Sequence, residues 1–146
     1  MSQFLSMFNS AGPEAFSKMA CQVAPYFSTI KPLISALRPG HATVQVPFSK
    51  EITNHLGSVH AIAMCNAAEL AAGTMTDVSI AAGARWIPKG MTVEYLAKAK
   101  SDVTAVADGE AVDWQTEGDK IVPVDIHDAE GKKVFTARIT MNVKLA

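Results

Sequence analysis

Residues 57–73 have the sequence GSVHAIAMCNAAELAAG, which is almost entirely apolar and has a glycine at each end. Ser58 is a residue type that caps helix N-termini and Gly73 is the type that follows a helix C-terminus, so we expect a helix over 59–73. A helix that is apolar on all sides is surrounded by other structure in a water-soluble protein. This stretch therefore predicts a central helix around which the rest of the chain folds.

On the C-terminal side of this helix, apolar and polar residues alternate, which is the pattern of strands with one buried face. The clearest run, 135–145, has the sequence FTARITMNVKL, and shorter runs cover 91–98, 103–107 and 122–127. The polar connections between these runs are short enough for antiparallel hairpins. We therefore expect about four antiparallel strands after the central helix.

The chain before the central helix predicts helices followed by one strand. In the N-terminal segment, residues 1–38, apolar side chains recur at three- and four-residue steps, as one face of a helix requires. Pro25 and Pro32 should divide this helical segment into short pieces, because proline lacks the N–H that a helix interior needs. Residues 42–48 then alternate apolar and polar, which predicts a strand before the central helix.

This order of elements predicts an α+β domain. One strand precedes the buried helix and the others follow it, which is the element order of the hotdog fold. We expect a curved antiparallel β-sheet of about five strands wrapped around one long central helix. A single core closes at roughly 100 to 200 residues, so the 146 residues should form one hotdog domain over 1–146.

The composition excludes several classes of protein. Of the 146 residues, 49% are hydrophobic and 18% are charged, so the chain is not compositionally disordered. Thirteen Lys and Arg against 14 Asp and Glu give a formal net charge of −1, which offers no electrostatic basis for binding nucleic acid. No stretch approaches the roughly 20 apolar residues that span a bilayer. We expect a soluble, cytoplasmic protein that binds neither nucleic acid nor membrane.

Several catalytic motifs are missing from the sequence. His55 and His60 are not at the i, i+4 spacing of a helical metal pair, and Cys21 and Cys65 form no metal-binding cluster, so we expect no metal site. The chain has no glycine-rich dinucleotide or phosphate loop. Ser58 does not lie in the Gly-x-Ser-x-Gly pattern of a serine-hydrolase elbow.

One motif does point to a specific chemistry. Residues 54–61, with the sequence NHLGSVHA, followed by Glu69, resemble the active-site signature of hotdog-fold acyl-CoA thioesterases in the branch related to phenylacetyl-CoA thioesterase. In that branch an Asn lies a few residues before a His-Gly at the start of the central helix, and an Asp or Glu lies about two turns further along. Asn54, His60 and Glu69 match these positions. By element order the likeness extends over residues 40–145.

The resemblance implies hydrolysis of an acyl-CoA thioester to free acid and CoA. Glu69 would activate water or attack the carbonyl itself, while Ala61 N–H and the helix dipole would hold the oxyanion and His60 and Asn54 would orient the substrate. Apart from any family, Glu69 is the only charged side chain in 59–73. A carboxylate on such an apolar helix has to be paired, protonated or placed in a cleft. The alternative is a structural Glu whose carboxylate reaches solvent or pairs with a Lys or Arg.

Other residues are candidates for contacts with the substrate. Gly57, Ser58 and Ile62 flank the start of the predicted helix and are expected to line the site. Arg85 and Lys89 have charges that suit the phosphates of coenzyme A at the mouth of a groove. For these two cations the alternative is a solvated strand face.

The resemblance also implies an assembly. In the family the site is built across a two-fold interface, with Glu69 from one subunit facing Asn54 and His60 of the other. A homodimer is then the minimum competent unit, and a dimer of dimers is a further expectation. Coenzyme A enters as part of the substrate, and no other cofactor is expected.

Two alternative functions stay open. Where the family often has Gly-Gly after the His, this sequence has Ala61-Ile62, which places side chains where the substrate carbonyl approaches bare backbone. This departure suits a module that binds acyl-CoA or another apolar ligand without turning it over. A third function keeps the fold and hydrates or dehydrates an acyl thioester, because hotdog dehydratases also use a His with a carboxylate.

Overall fold

The computed structural model describes residues 2–146, which form three α-helices and one six-stranded sheet. The helices are α1 Gln3–Ala11, α2 Pro13–Val23 and α3 Ala61–Ser79, with short 3₁₀ helices at Pro25–Ile30 and Lys50–Ile52. The strands are β1 Leu33–Arg38, β2 His41–Val46, β3 Arg85–Tyr95, β4 Val103–Asp108, β5 Gly118–Asp128 and β6 Lys133–Lys144.

The sheet curves around the central helix. Its strand order is β1-β2-β4-β5-β6-β3, every neighbouring pair is antiparallel, and α3 contacts all six strands. The inward side chains of the strands and the facing side of α3 form one buried core, which includes Val44, Ala105, Val124, Ile139, Met141, Ala67, Ala68, Ala71 and Met75. The predicted α+β hotdog fold is confirmed.

One strand lies where the sequence predicted helix. β1 falls within the N-terminal segment 1–38 and raises the number of strands from the expected five to six. It pairs with β2 through a tight turn in which Gly40 has a φ of +80°. A register shift between Ile34 and Ala36 interrupts the alternation of buried and exposed residues. Because of this irregularity, the residues of β1 do not follow the period-two pattern from which the other strands were predicted.

The central helix begins and ends later than predicted. It covers Ala61–Ser79 rather than 59–73, and its N-cap is His60, whose Nδ1 accepts the Ile62 N–H at 3.0 Å, rather than Ser58. Gly73 lies inside the helix. A Cβ built on Gly73 would stand 2.9 Å from Cη2 of Trp86, so the glycine makes room for the indole ring instead of ending the helix.

The N-terminal helices pack over α3 and β1. The helical segment is first interrupted at Gly12, where φ is +88°, and Pro25 starts a 3₁₀ helix. The Ser17 hydroxyl accepts the Ile34 N–H at 2.8 Å and so attaches α2 to β1. Phe16 is buried with two aromatic rings of α1 against its edges. None of the helices formed by residues 2–146 is long and apolar enough to cross a membrane.

We expect Gly73→Ala to destabilise the protein. In an ordinary helix interior this change stabilises by about 1 kcal/mol, but overpacking costs about 1–3 kcal/mol. Trp86 has little freedom to move because its Nε1–H donates to Asp77 Oδ1 at 2.9 Å. The predicted net loss of about 1 kcal/mol corresponds to roughly 3 °C in Tm, measured by thermal unfolding.

Gly73→Ala in a Trp86→Phe background is the control. Phe lacks the outer indole ring atoms that approach the built Cβ, so in that background the same change should raise the Tm rather than lower it. A Gly73→Ala protein that melts above the native protein would contradict the close packing of Trp86 on α3.

Candidate active site

The side chain of Asn54 organises the loop before α3. Its Oδ1 accepts the Leu56 N–H at 2.9 Å, the Ser58 N–H at 3.2 Å and the Ser58 hydroxyl at 3.1 Å. Gly57 completes the turn with a φ of +73°, a conformation that favours glycine. Within residues 2–146 the Nδ2 group of Asn54 makes no hydrogen bond. The loop therefore uses the amide oxygen and leaves two N–H donors available.

The first residues of α3 present two further donors. Because His60 Nδ1 accepts the Ile62 N–H, the neutral ring carries its proton on Nε2. The His60 N–H donates to Ile52 O at 2.7 Å. Ala61 is the first helical residue, and its N–H has no acceptor among the described residues. A free N–H at a helix N-terminus favours a negatively charged oxygen.

These donors lie in neighbouring clefts. Asn54 and Ala61 line the same cleft, of about 320 Å³, together with Tyr95. His60 and Ile62 line an adjoining cleft of about 220 Å³ on the other side of the helix start. The structure thus brings Asn54 and Ala61 together and places His60 beside them.

Glu69 lies in a third, apolar groove. Its half-buried carboxylate takes part in no hydrogen bond or salt bridge within residues 2–146, and it lines a groove of about 260 Å³ between α3 and the N-terminal helices. A carboxylate on this helix was expected to be paired, protonated or placed in a cleft, and the structure places Glu69 in a cleft. Because eight residues separate Glu69 from Ala61, the two are roughly 12 Å apart along the helix axis. One chain therefore does not bring Glu69 to the other three predicted catalytic residues.

The predicted substrate-binding residues differ in their positions. Ser58 is buried and its hydroxyl donates to Asn54 Oδ1, so Ser58 stabilises the loop. Ile62 is 52% exposed at the His60 cleft. Arg85 is exposed at the start of β3, and Lys89 pairs with Asp119 at 2.9 Å. Neither cation lines the three clefts described above.

Asn66 is a polar residue of the site region that the sequence reasoning missed. It is 7% exposed, its Nδ2 donates to Thr29 Oγ1 at 3.1 Å, and the Thr29 hydroxyl donates to Tyr26 O at 2.9 Å. Asn66 therefore ties α3 to the 3₁₀ helix Pro25–Ile30, which separates the His60 cleft from the groove of Glu69. The sequence did contain a signal for Asn66, because it is a polar residue three positions before Glu69 on an otherwise apolar helix.

Cys65 lies one helical turn before Glu69, beside the hydroxyl of Tyr95. Burial raises the pKa of the Cys65 thiol above its ordinary value. A thiol is a nucleophile only as the thiolate, so the raised pKa makes Cys65 a poor nucleophile at neutral pH. Within residues 2–146, no three His, Cys, Asp or Glu side chains cluster closely enough to hold a metal ion.

Comparisons with known proteins show the family and the fold of the chain. Residues 12–143 match the family DUF4442, described as a domain of unknown function. No curated protein matches the sequence. The structural-genomics protein APC5556 is 58% identical, with a TM-score of 0.90 over 99% of this chain and 97% of that one.

More distant structures share the fold. The thioesterase HI1161 from Haemophilus influenzae is 19% identical, with a TM-score of 0.76 over 86% of each chain. A thioesterase family protein from Silicibacter pomeroyi is 16% identical, with a TM-score of 0.76 over 89% of this chain and 96% of that one. At these identities the likeness establishes the fold.

Proposed function

The chain belongs to the DUF4442 family and has the hotdog fold, and on this basis we propose that it hydrolyses acyl-CoA thioesters to free acid and coenzyme A. The proposal rests on one observation, that hydrogen-bond donors and a carboxylate lie on the same helix. Its start presents hydrogen-bond donors without acceptors, and its middle presents a carboxylate without a partner. Ester-type hydrolysis needs both, because charge develops on the carbonyl oxygen while water loses a proton.

The donors at the helix start fit the carbonyl oxygen of a thioester. Ala61 N–H and the dipole of α3 stabilise the negative charge that forms there. Asn54 Nδ2 lines the same cleft as Ala61 and orients the carbonyl. His60 Nε2–H lies beside them and orients the substrate. The acceptor atoms of both side chains are already used by the protein, which supports a donor role for each.

Glu69 supplies the base. In the first step its carboxylate takes a proton from water while the water oxygen bonds to the thioester carbon and the carbonyl becomes an oxyanion. In the second step the oxyanion re-forms the carbonyl, the carbon–sulfur bond breaks, and Glu69 returns the proton to the thiolate of coenzyme A. No external cofactor enters this balance.

The separation of Glu69 from Ala61 requires a second subunit. We propose a two-fold dimer in which Glu69 of one chain faces Asn54, His60 and Ala61 of the other. The supporting feature is β3, an edge strand with no neighbour on its outer side in the single chain. A free edge of this length is a template for pairing with another strand.

The surface beside that edge supports the same dimer. On β3, Ile87 is 62% exposed and Tyr95 is 57% exposed. Tyr95 lines the cleft of Ala61, while Trp86 of the same strand lines the groove of Glu69. The apolar edge thus runs between the two halves of the proposed site, as an interface that joins them requires.

A second function is favoured by one observation. Ile62, which stands where related thioesterases often have glycine, is half exposed at the His60 cleft. Its side chain narrows the approach to the helix start and suits a protein that binds an acyl-CoA without turnover. Thiol release distinguishes this function from hydrolysis.

Glu69→Gln tests the base. Thiol release is measured on acetyl-, butyryl-, octanoyl- and phenylacetyl-CoA, and we expect a fall in kcat of about 10² or more, as for a lost general base. Glu130→Gln is the matched control, because it makes the same change on an exposed hairpin and should keep native rates. Native turnover by Glu69→Gln would exclude Glu69 as the base. Absence of turnover by the folded native protein on every substrate would favour the binding function.

Ala61→Pro tests the oxyanion donor. Proline removes the N–H but is favoured at the first position of a helix. The residue before it, His60, already has the extended backbone that proline requires, with φ −62° and ψ 135°. We expect a native Tm and a fall in kcat of about 10² to 10³. A variant that folds and keeps full activity would show that the Ala61 N–H does not hold the oxyanion.

Mixed dimers test whether the site is shared. Asn54→Asp keeps an oxygen for the loop N–H groups but removes the Nδ2 donors, and we expect it to be inactive on its own, as is Glu69→Gln. After the two variants are unfolded together and refolded, half of the dimers carry one native site, so activity should recover to about a quarter of native. Recovery near zero from dimers confirmed by sedimentation would place the whole site within one chain.

A further inference from the structure

The groove of Glu69 has walls from five different elements. Its apolar side chains include Phe4 of α1, Ala20 and Val23 of α2, Phe27 of the 3₁₀ helix and Leu70 of α3, and Trp86 of β3 forms a further wall. The N-terminal helices, which lie outside the segment that carries the thioesterase-like motif, thus supply much of the lining.

The polar groups of this groove are satisfied except at one point. The Thr74 hydroxyl donates to Leu70 O at 2.8 Å, and Asp77 accepts the Trp86 indole N–H at 2.9 Å. Of the polar side chains that line the groove, only that of Glu69 takes part in no hydrogen bond or salt bridge within residues 2–146. An apolar groove with a single reactive group at its wall suits a substrate whose reacting atom carries an apolar substituent. The reacting atom then lies at that group and the substituent lies in the groove.

We propose that this groove receives the acyl group of the substrate and that it selects uncharged acyl chains of medium length. The inference rests on the proposed thioester hydrolysis and adds the substrate class to it. The carbonyl carbon lies against Glu69, and the chain extends between α3 and the N-terminal helices.

The size of the groove sets the length. A volume of about 260 Å³ lies just below the range of small-molecule sites, which begins at roughly 300 Å³. At the roughly 30 Å³ that a water molecule occupies in the liquid, such a groove holds about eight carbon-sized groups. The indole of Trp86, held by Asp77 and packed on Gly73, forms a rigid wall. Chains longer than about eight carbons gain no further contact there.

The charge of the groove sets the polarity. Glu69 and Asp77 both line it, and the lining contains no cation. A carboxylate at the far end of an acyl chain would lose its hydration and meet two like charges. Succinyl-CoA and butyryl-CoA have the same number of acyl carbons, so they form a matched pair for this effect.

The first experiment measures kcat/KM for acetyl-, butyryl-, hexanoyl-, octanoyl- and palmitoyl-CoA. We expect a rise of about fourfold per methylene up to about eight carbons and no further rise beyond them. Succinyl-CoA should be at least tenfold poorer than butyryl-CoA. Turnover with no dependence on chain length, or succinyl-CoA equal to butyryl-CoA, would overturn the acyl groove and leave the thioesterase function standing.

A variant pair tests the location. Ala20→Phe fills the groove from α2, and Ala15→Phe adds the same ring on an exposed position of that helix. We expect the octanoyl-to-butyryl ratio of kcat/KM to fall at least tenfold in Ala20→Phe and to stay native in Ala15→Phe. An unchanged ratio in a folded Ala20→Phe protein would overturn the proposal.

Calorimetric titration separates the two proposals if no turnover is seen. Octanoyl-CoA should then bind at least tenfold more tightly than acetyl-CoA to the native protein, and Ala20→Phe should abolish that difference. This result would support the groove while the hydrolytic function fails. Equal affinities for octanoyl- and acetyl-CoA would overturn the groove.

Discussion

The architecture depends on the burial of α3, a nineteen-residue helix that is apolar on nearly every side. Such a helix has to be covered all round, and a curved antiparallel sheet covers most of it because its strands twist and bend around a central rod. Alanines such as Ala67 and Ala71 are wholly buried and let the strands approach closely. The N-terminal helices cover part of the side that the sheet leaves open.

Covering the helix also determines where reactive groups lie. A helix start has N–H groups without intrahelical acceptors, and here the loop before α3 satisfies some of them and leaves Ala61 free. Asn54 holds that loop with its amide oxygen and keeps its Nδ2 group outward. The same loop geometry that stabilises the helix start therefore presents donors to a cleft.

The proposed function lies where the sheet and the N-terminal helices do not cover α3 completely. The outer edge of β3 carries exposed apolar side chains and is left unpaired by a single chain. Glu69 lies in a groove beside this edge, roughly 12 Å along α3 from Ala61. In the dimer that we propose, pairing of two chains across that edge joins the carboxylate of one chain to the donors of the other. Thus one constraint, a helix too apolar to be exposed, accounts for the fold, the assembly and the site that we propose.

Periodicity was sufficient for the central helix, most strands and the hotdog element order, because these features are encoded in neighbouring residues. The choice of Asn54, His60, Ala61 and Glu69 as candidates came from the resemblance to a thioesterase motif and stays a prediction. The end of α3 and the presence of β1 were predicted wrongly. Gly73 stays helical because Trp86, distant in sequence, packs against it, and the strand has an interrupted alternation. The groove of Glu69 also needed the packed chain, since its walls come from segments far apart in sequence. Long-range contacts of this kind leave no periodic trace in a single sequence.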